Sequence, residues 1–191
     1  DIKKHTDRAQ ERLKFMSSVL NSLQALTQDV DVEYQTENLL SMLEETVHLV
    51  RDRNKKNQAL LAEIDIDSGI VIEANRHLLL QALSNIIQNS IDSYGGEFDQ
   101  QPTVRIGATV ENDSRVILSI TDQGCGMSDE TVRYAFQLFA TSKPDGTGVG
   151  LTIAKKIIES DHAGLVHLSS VKENGTTVTV ALPTKQDEWK W

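Results

Sequence analysis

The chain has 191 residues, 39% hydrophobic and 25% charged, with a formal net charge of -9 at pH 7 and a single cysteine, Cys125. Such a composition is ordinary for one medium globular domain plus an appendage; no apolar run approaches the roughly 20 residues of a membrane span, no secretory signal opens the sequence, and one cysteine builds neither a disulfide framework nor a cysteine-rich zinc site. The acidic balance and the lack of a basic stripe interleaved with aromatics make nucleic acid an unexpected partner, and a reducing, cytoplasmic setting is expected, with any membrane anchor belonging to a larger parent protein.

Residues 6 to 27 read as a helix, with Thr6 or Asp7 able to cap it and Ala9, Leu13, Met16, Leu20 and Leu23 recurring at alternating steps of four and three. This is a heptad seam, narrower than an ordinary amphipathic face. It either packs on its own domain or forms half of an intermolecular bundle, and its span over several turns favours the bundle. After a polar turn at 29–36, a second helix is predicted from Thr36 to about Asn54, with Leu39, Leu40, Leu43, Val47 and Val50 on one side. Leu60 to Asp65 and Ile70 to Glu73 are short β-like runs around Asp67-Ser68-Gly69, a hairpin signal. Asn75 is placed to cap a helix from Arg76 to about Tyr94, with Leu79, Leu83, Ile86, Ile87 and Ile91 facing inward and Gly95-Gly96 stopping it.

Two alternating strands follow, Thr103 to Val110 and Arg115 to Thr121, turning at Glu111-Asn112-Asp113. A short helix is expected from Asp129 to Phe136, then a loop containing Pro144, Gly146 and Gly148, then a helix from about Val149 to Ser160. Leu165 to Ser169 and Thr176 to Leu182 close the domain around Glu173-Asn174-Gly175, and Pro183 ends it. The Trp189-Lys190-Trp191 tail fits packing on a neighbour and simple exposure equally well. Strands arriving as hairpins rather than βαβ repeats argue for an α+β fold: a mixed, mostly antiparallel sheet with helices on one face.

Three stretches could carry chemistry. In QALSNIIQNS, Asn85 and Asn89 lie four apart and so share a helix face other than the apolar one. An amide oxygen is a hard ligand for magnesium and an amide NH2 can donate to phosphate, although two solvated asparagines would read the same. In ITDQGCGMS, a strand ends at Asp122 and is followed by Gly124 and Gly126. A carboxylate there can accept from an exocyclic amino group such as that of adenine, or simply sit in a turn. In TSKPDGTGVGL, Gly146, Gly148 and Gly150 alternate just before a helix, where backbone amides suit phosphate and Lys143 adds a cation; a flexible loop would look alike. The three occur in this order, with separate groups for metal, adenine and phosphate.

Together they resemble the catalytic ATP-binding domain of sensor histidine kinases, in the superfamily shared with gyrase, MutL and the heat-shock chaperone ATPases. LLLQALSNIIQNSIDS is similar to its N box, DQGCGM to its G1 box, AFQLFATSKPDGTGVGLTIAKKII to its F box, lid and G2 box, and GTTVTVALP to its closing strand. The resemblance covers about residues 59 to 183 and implies the two-layer α/β sandwich (Bergerat) fold. It also implies ATP and magnesium as ligands. Asn89 would bind the metal, and Asn85 and Lys143 would act in catalysis. Asp122 would contact the adenine amino group with Gly126 beside the base, Thr177 would support Asp122, Gly148 and Gly150 would sit at the phosphates, and Gly124, Gly146, Thr147 and Leu151 would be further nucleotide-binding positions. Hydrolysing relatives carry a glutamate at the position of Asn85; asparagine cannot be a general base, which fits transfer to another group rather than hydrolysis. Departures from the pattern are Ser90 for the common alanine, Asp92 where many kinases carry lysine, and SDHAG where a shorter stretch ending HGG is usual, an apparent one-residue insertion.

By the same resemblance the expected organisation is 1–30 as the second helix of a dimerisation hairpin, 31–58 as a connecting helix region, 59–185 as the catalytic domain and 186–191 as a tail. The expected partners are a phosphoacceptor histidine helix of the same or the partner subunit, a response regulator receiver domain, and a second copy in a full-length homodimer. The acceptor motif H-E-x-x-x-P is absent, and His5, followed by Thr-Asp-Arg, reads as a solvated helix-start residue. The sequence is thus expected to begin just after the acceptor helix. The alternative is an ATPase or nucleotide-gated binding module of the same superfamily without histidine kinase activity.

Overall fold

A computed structural model describes residues 32–54, 60–95, 101–141, 143 and 146–186. The heptad helix at 6–27, His5 and the tryptophan tail lie outside the described residues. In chain order the elements are β1 (Gln35–Asn38), α1 (Leu39–Asn54), β2 (Leu61–Asp65), β3 (Val71–Ala74), α2 (Arg76–Asp92), β4 (Thr103–Glu111), β5 (Arg115–Asp122), α3 (Asp129–Tyr134), α4 (Gly150–Lys155) running on as a π turn (Lys156–Ser160), β6 (Leu165–Ser170) and β7 (Thr176–Pro183). The main sheet has the order β2-β4-β5-β7-β6, with β2 parallel to β4 and the other pairs antiparallel. It is the mixed, mostly antiparallel sheet expected. No helix among the described residues is long and apolar enough to cross a membrane.

Alternation decides which face is covered. Along β5, Val116, Leu118, Ile120 and Asp122 are buried while the residues between them are half-buried, so every second residue turns toward the helices. α2 lies over that face with Leu79, Leu83, Ile86, Ile87 and Ile91 in the core. Its start is fixed by Asn75, whose side chain accepts the Leu78 N–H at 3.0 Å, a side-chain cap that satisfies one of the donors left over in the first turn. α1 is part of the same core through Leu39, Met42, Leu43, Val47 and Val50, so it packs with α2 and the sheet as one unit.

Two expectations about this region are corrected. The second helix starts at Leu39, not Thr36, because Asn38 Oδ1 accepts the Ser41 N–H at 2.9 Å as a cap. The preceding Gln35–Asn38 instead pairs antiparallel with β3. The Asp67-Ser68-Gly69 turn forms, with Gly69 N–H donating to Asp67 Oδ1 at 2.7 Å. Its flanking strands do not pair as a hairpin, however: β2 joins β4 in the main sheet and β3 joins β1 in a separate two-stranded sheet. Arg76, at the start of α2, forms ion pairs with Glu37 and Glu45 and so ties that small sheet and α1 to α2.

Just before the SDHAG segment the helix widens into a π turn at Lys156–Ser160, a single-turn bulge at the end of an α-helix. The carbonyls of Lys156, Ile157 and Ile158 are met by Asp161 N–H at 3.1 Å, His162 Nδ1 at 2.8 Å and Gly164 N–H at 2.7 Å. His162 is fully buried, and its Nε2 accepts the Asn75 N–H at 3.0 Å. Donating from Nδ1 and accepting at Nε2 requires the neutral ring. Burial holds its pKa below the ordinary histidine value, opposed in part by the Ile157 carbonyl and by Asp161. The unfolded chain therefore takes up this proton first, at about pH 6.5. Stability attributable to His162 is complete above that pH and is lost as the pH falls below it, by at most about 1.4 kcal/mol per pH unit. Thermal melts between pH 7.5 and 5.5 should show a decline that His162→Gln flattens. His48, His77 and His167 are exposed.

Candidate functional site

Asn85 and Asn89 stand one turn apart on α2, half-buried, on the side of the helix away from Leu83 and Ile87. α4 begins beside them: a Cβ placed on Gly150 would lie 3.7 Å from Asn85 Cγ, and no side chain caps that helix start. The glycine loop is held down where Gly148 O accepts the Phe139 N–H at 2.9 Å. Gly148 has φ of +64°, and a Cβ there would fall 2.4 Å from the Phe139 carbonyl carbon. Gly148→Ala must therefore displace backbone as well as strain φ. It is expected to reduce nucleotide affinity at least about tenfold and to lower the melting temperature as well, since Val149 next to it is buried in the core and alanine at a positive φ destabilises; titration and melts of the same sample test this.

At the other end, Asp122 closes β5, 3% exposed. Its Oδ1 accepts from Gly124 N–H at 3.0 Å and Ser93 Oγ at 3.1 Å. Burial pushes its carboxyl above the usual aspartate range, while hydrogen bonds from Gly124, Ser93, Ser90 and Thr176 pull it back. Between the two ends, Lys143 places its ammonium 3.4 Å from Asn89 Oδ1 and 3.1 Å from Asp92 Oδ2. Asp92, read as a departure that removes a cation from this helix, thus brings one in from the loop.

These groups face one cavity of about 560 Å³, within the range of small-molecule sites. Asn85, Asn89, Asp122, Gly126 and Lys143 line it, as do Gly146, Thr147, Gly148, Gly150 and Leu151. Two expected residues do not. Gly124 sits behind Asp122, serving it through its N–H. Thr177 is paired with Thr121 across the strands, the two hydroxyls 3.0 Å apart. Thr176 is the residue in register with Asp122 and lines the cavity instead. The alternation of a strand puts neighbours on opposite faces, so a shift of one residue exchanges them. Ser93, Thr176 and Met127 also line the cavity, and no local spacing in the sequence marks them. The signal available for Thr176 was the period of β7 counted against that of β5.

The donor set fits a magnesium–nucleotide. A cation, the Lys143 ammonium, already stands against the Asn89 amide oxygen. Among the described residues no group of three or more His, Cys, Asp or Glu could hold a metal by itself, so a magnesium ion here would complete its shell with phosphate and water oxygens, as this ion commonly does.

Comparison with known proteins agrees with this geometry. Residues 74–186 match the family model described as Histidine kinase-, DNA gyrase B-, and HSP90-like ATPase. The chain is 29% identical over 168 residues to the sensor histidine kinase ZraS of Salmonella typhimurium, covering 88% of this chain and 35% of the relative. It is 30% identical over 169 residues to the signal transduction histidine-protein kinase AtoS of Escherichia coli, covering 88% and 27%. It thus spans about a third of the length of these relatives. The fold superposes on the catalytic domain of histidine kinase ThkA with a TM-score of 0.68 and 27% identity, over 82% of this chain and 99% of that one. With the asparagine helix, the strand-end aspartate and the glycine loop converging on one cavity inside the matched region, the chain belongs to the histidine kinase-, DNA gyrase B- and HSP90-like ATPase family.

Proposed function

We propose that the chain is the ATP-binding catalytic module of a two-component sensor histidine kinase, transferring the γ-phosphoryl group of ATP to a histidine on a dimerisation helix for relay to a response regulator. The observation that carries this reading is the convergence of Asn89, Lys143, Asp122 and the glycine loop on one cavity of about 560 Å³. Asp122 accepts from the adenine amino group. Asn89 and Lys143 serve the phosphate end, Asn89 as a metal ligand and Lys143 as a second cation. Backbone amides around Gly148 and Gly150 meet the phosphates. Magnesium, when bound, neutralises developing charge on the transferred group.

Asn85 supports transfer over hydrolysis. An imidazole nitrogen attacks with its own lone pair, whereas water needs a base, and an amide side chain supplies none. The catalytic contribution of these residues is then positioning and electrostatics. The test supplies γ-labelled ATP and magnesium to the chain alone and to a form extended by an acceptor helix. Acid-labile phosphohistidine in the extended form only is the expected result. Free phosphate released in steady state without phosphohistidine would favour an ATPase, and robust labelling at His5 would overturn the placement of the acceptor.

A further inference from the structure

Ser93 lies just past α2 as its C-cap, outside the residues to which a role was given above except as a neighbour of Asp122. Three contacts tie it to the turn that follows β5. Its Oγ donates to Asp122 Oδ1 at 3.1 Å. Its carbonyl accepts the Cys125 N–H at 3.0 Å. A Cβ on Gly124 would fall 1.8 Å from Ser93 Oγ and 2.6 Å from its Cβ, so the serine reaches the carboxylate because residue 124 has no side chain. Ser93 Oγ also lies 2.7 Å from the Ser90 carbonyl, which sets its rotamer while the single hydroxyl proton is shared with the carboxylate.

The consequence is rotational. A carboxylate held by one donor can swing about its Cβ–Cγ bond, because that torsion is soft. Beside the contacts from Ser90 and Thr176, two donors from different elements, Ser93 Oγ and Gly124 N–H, fall on the same oxygen. They fix the plane of the carboxylate and leave the rest of its four lone-pair positions oriented by the fold.

We propose that Ser93 is a positioning residue for base specificity, holding the Asp122 carboxylate in the one orientation that meets the exocyclic amino group of adenine. This rests on the reading of Asp122 as the adenine contact. A base that presents a carbonyl oxygen in place of that amino group meets a fixed carboxylate as an acceptor facing an acceptor, and is rejected. A carboxylate free to turn rejects it less and grips adenine less.

The test compares the magnesium complexes of ATP and inosine triphosphate, which differ at that group, by calorimetric titration of the protein and of Ser93→Ala. The unaltered protein is expected to prefer ATP. Ser93→Ala should narrow the ATP-to-inosine-triphosphate ratio roughly 5- to 20-fold, mainly through lost ATP affinity, with inosine triphosphate changed by no more than about twofold. A general packing lesion weakens both ligands together and leaves the ratio unchanged; that result, with the unaltered protein still preferring ATP, overturns the role of Ser93 alone. No preference in the unaltered protein overturns the adenine reading of Asp122 and this inference with it.

Discussion

Asp122→Asn should lose roughly 10- to 100-fold in adenine nucleotide affinity while melting no lower than the unaltered protein. The loss follows from geometry. Gly124 N–H and Ser93 Oγ converge on Oδ1, so an asparagine takes up these donors with its oxygen and turns its NH2 outward. Two donors, the amide and the adenine amino group, then face each other where a hydrogen bond to a charged acceptor stood, an interaction commonly worth about 1.5–3 kcal/mol. The stability half follows from burial. Because burial raises the carboxyl pKa in the fold, the folded chain holds this proton more tightly than the unfolded chain. Stability from this group is complete below its unfolded value near 3.8 and falls as the pH rises through the folded value, so at neutral pH the ionised carboxylate is a cost. The asparagine removes that cost. Melts at pH 7.5 with and without magnesium–ATP measure both effects: at one ligand concentration ATP should raise the melting temperature of the unaltered protein clearly more than that of the variant. A variant that melts lower and responds to ATP as fully as the unaltered protein would contradict the assignment.

Asn89→Ala should abolish the part of triphosphate binding that depends on magnesium and slow phosphoryl transfer at least about 100-fold, with the core intact. Asn89 is half-buried and outside the apolar face of α2, so truncation leaves no cavity among Leu83, Ile86 and Ile87. The ammonium of Lys143 would keep its 3.1 Å contact with Asp92, so the cation stays at the phosphate end and metal-independent affinity should change little. Titration with ATP in the presence of magnesium and of a chelator separates the two. Magnesium-dependent binding that survives the substitution would place the metal elsewhere.

Much of this was legible along the chain because the signals are local. The apolar period of α2 and its Asn75 cap lie within a few residues of one another, as do the glycines before α4 and the aspartate at the end of β5. A helix period fixes which residues share a face without reference to anything distant. What failed was pairing. The Asp67-Ser68-Gly69 turn reverses the chain and by its residues reads as a hairpin, yet β2 pairs with β4 about forty residues on and β3 pairs back to β1. A turn motif records that the chain changes direction, while strand partners are chosen by burial across the whole sheet. The exchange of Thr177 for Thr176 has the same origin, since only the register between β5 and β7 says which of two adjacent threonines stands opposite Asp122.

By itself, then, the sequence determined the family and the elements of the site: spacing on one helix and residue chemistry at one strand end are properties of contiguous residues. Only the tertiary structure decided which groups complete that site. Asp92 holds the loop lysine against Asn89, Ser93 reaches Asp122 across Gly124, and His162 secures the start of α2 from a widened helix turn far along the chain. Each joins residues 29 to 87 positions apart, and such contacts are set by how the faces pack, which no local period encodes.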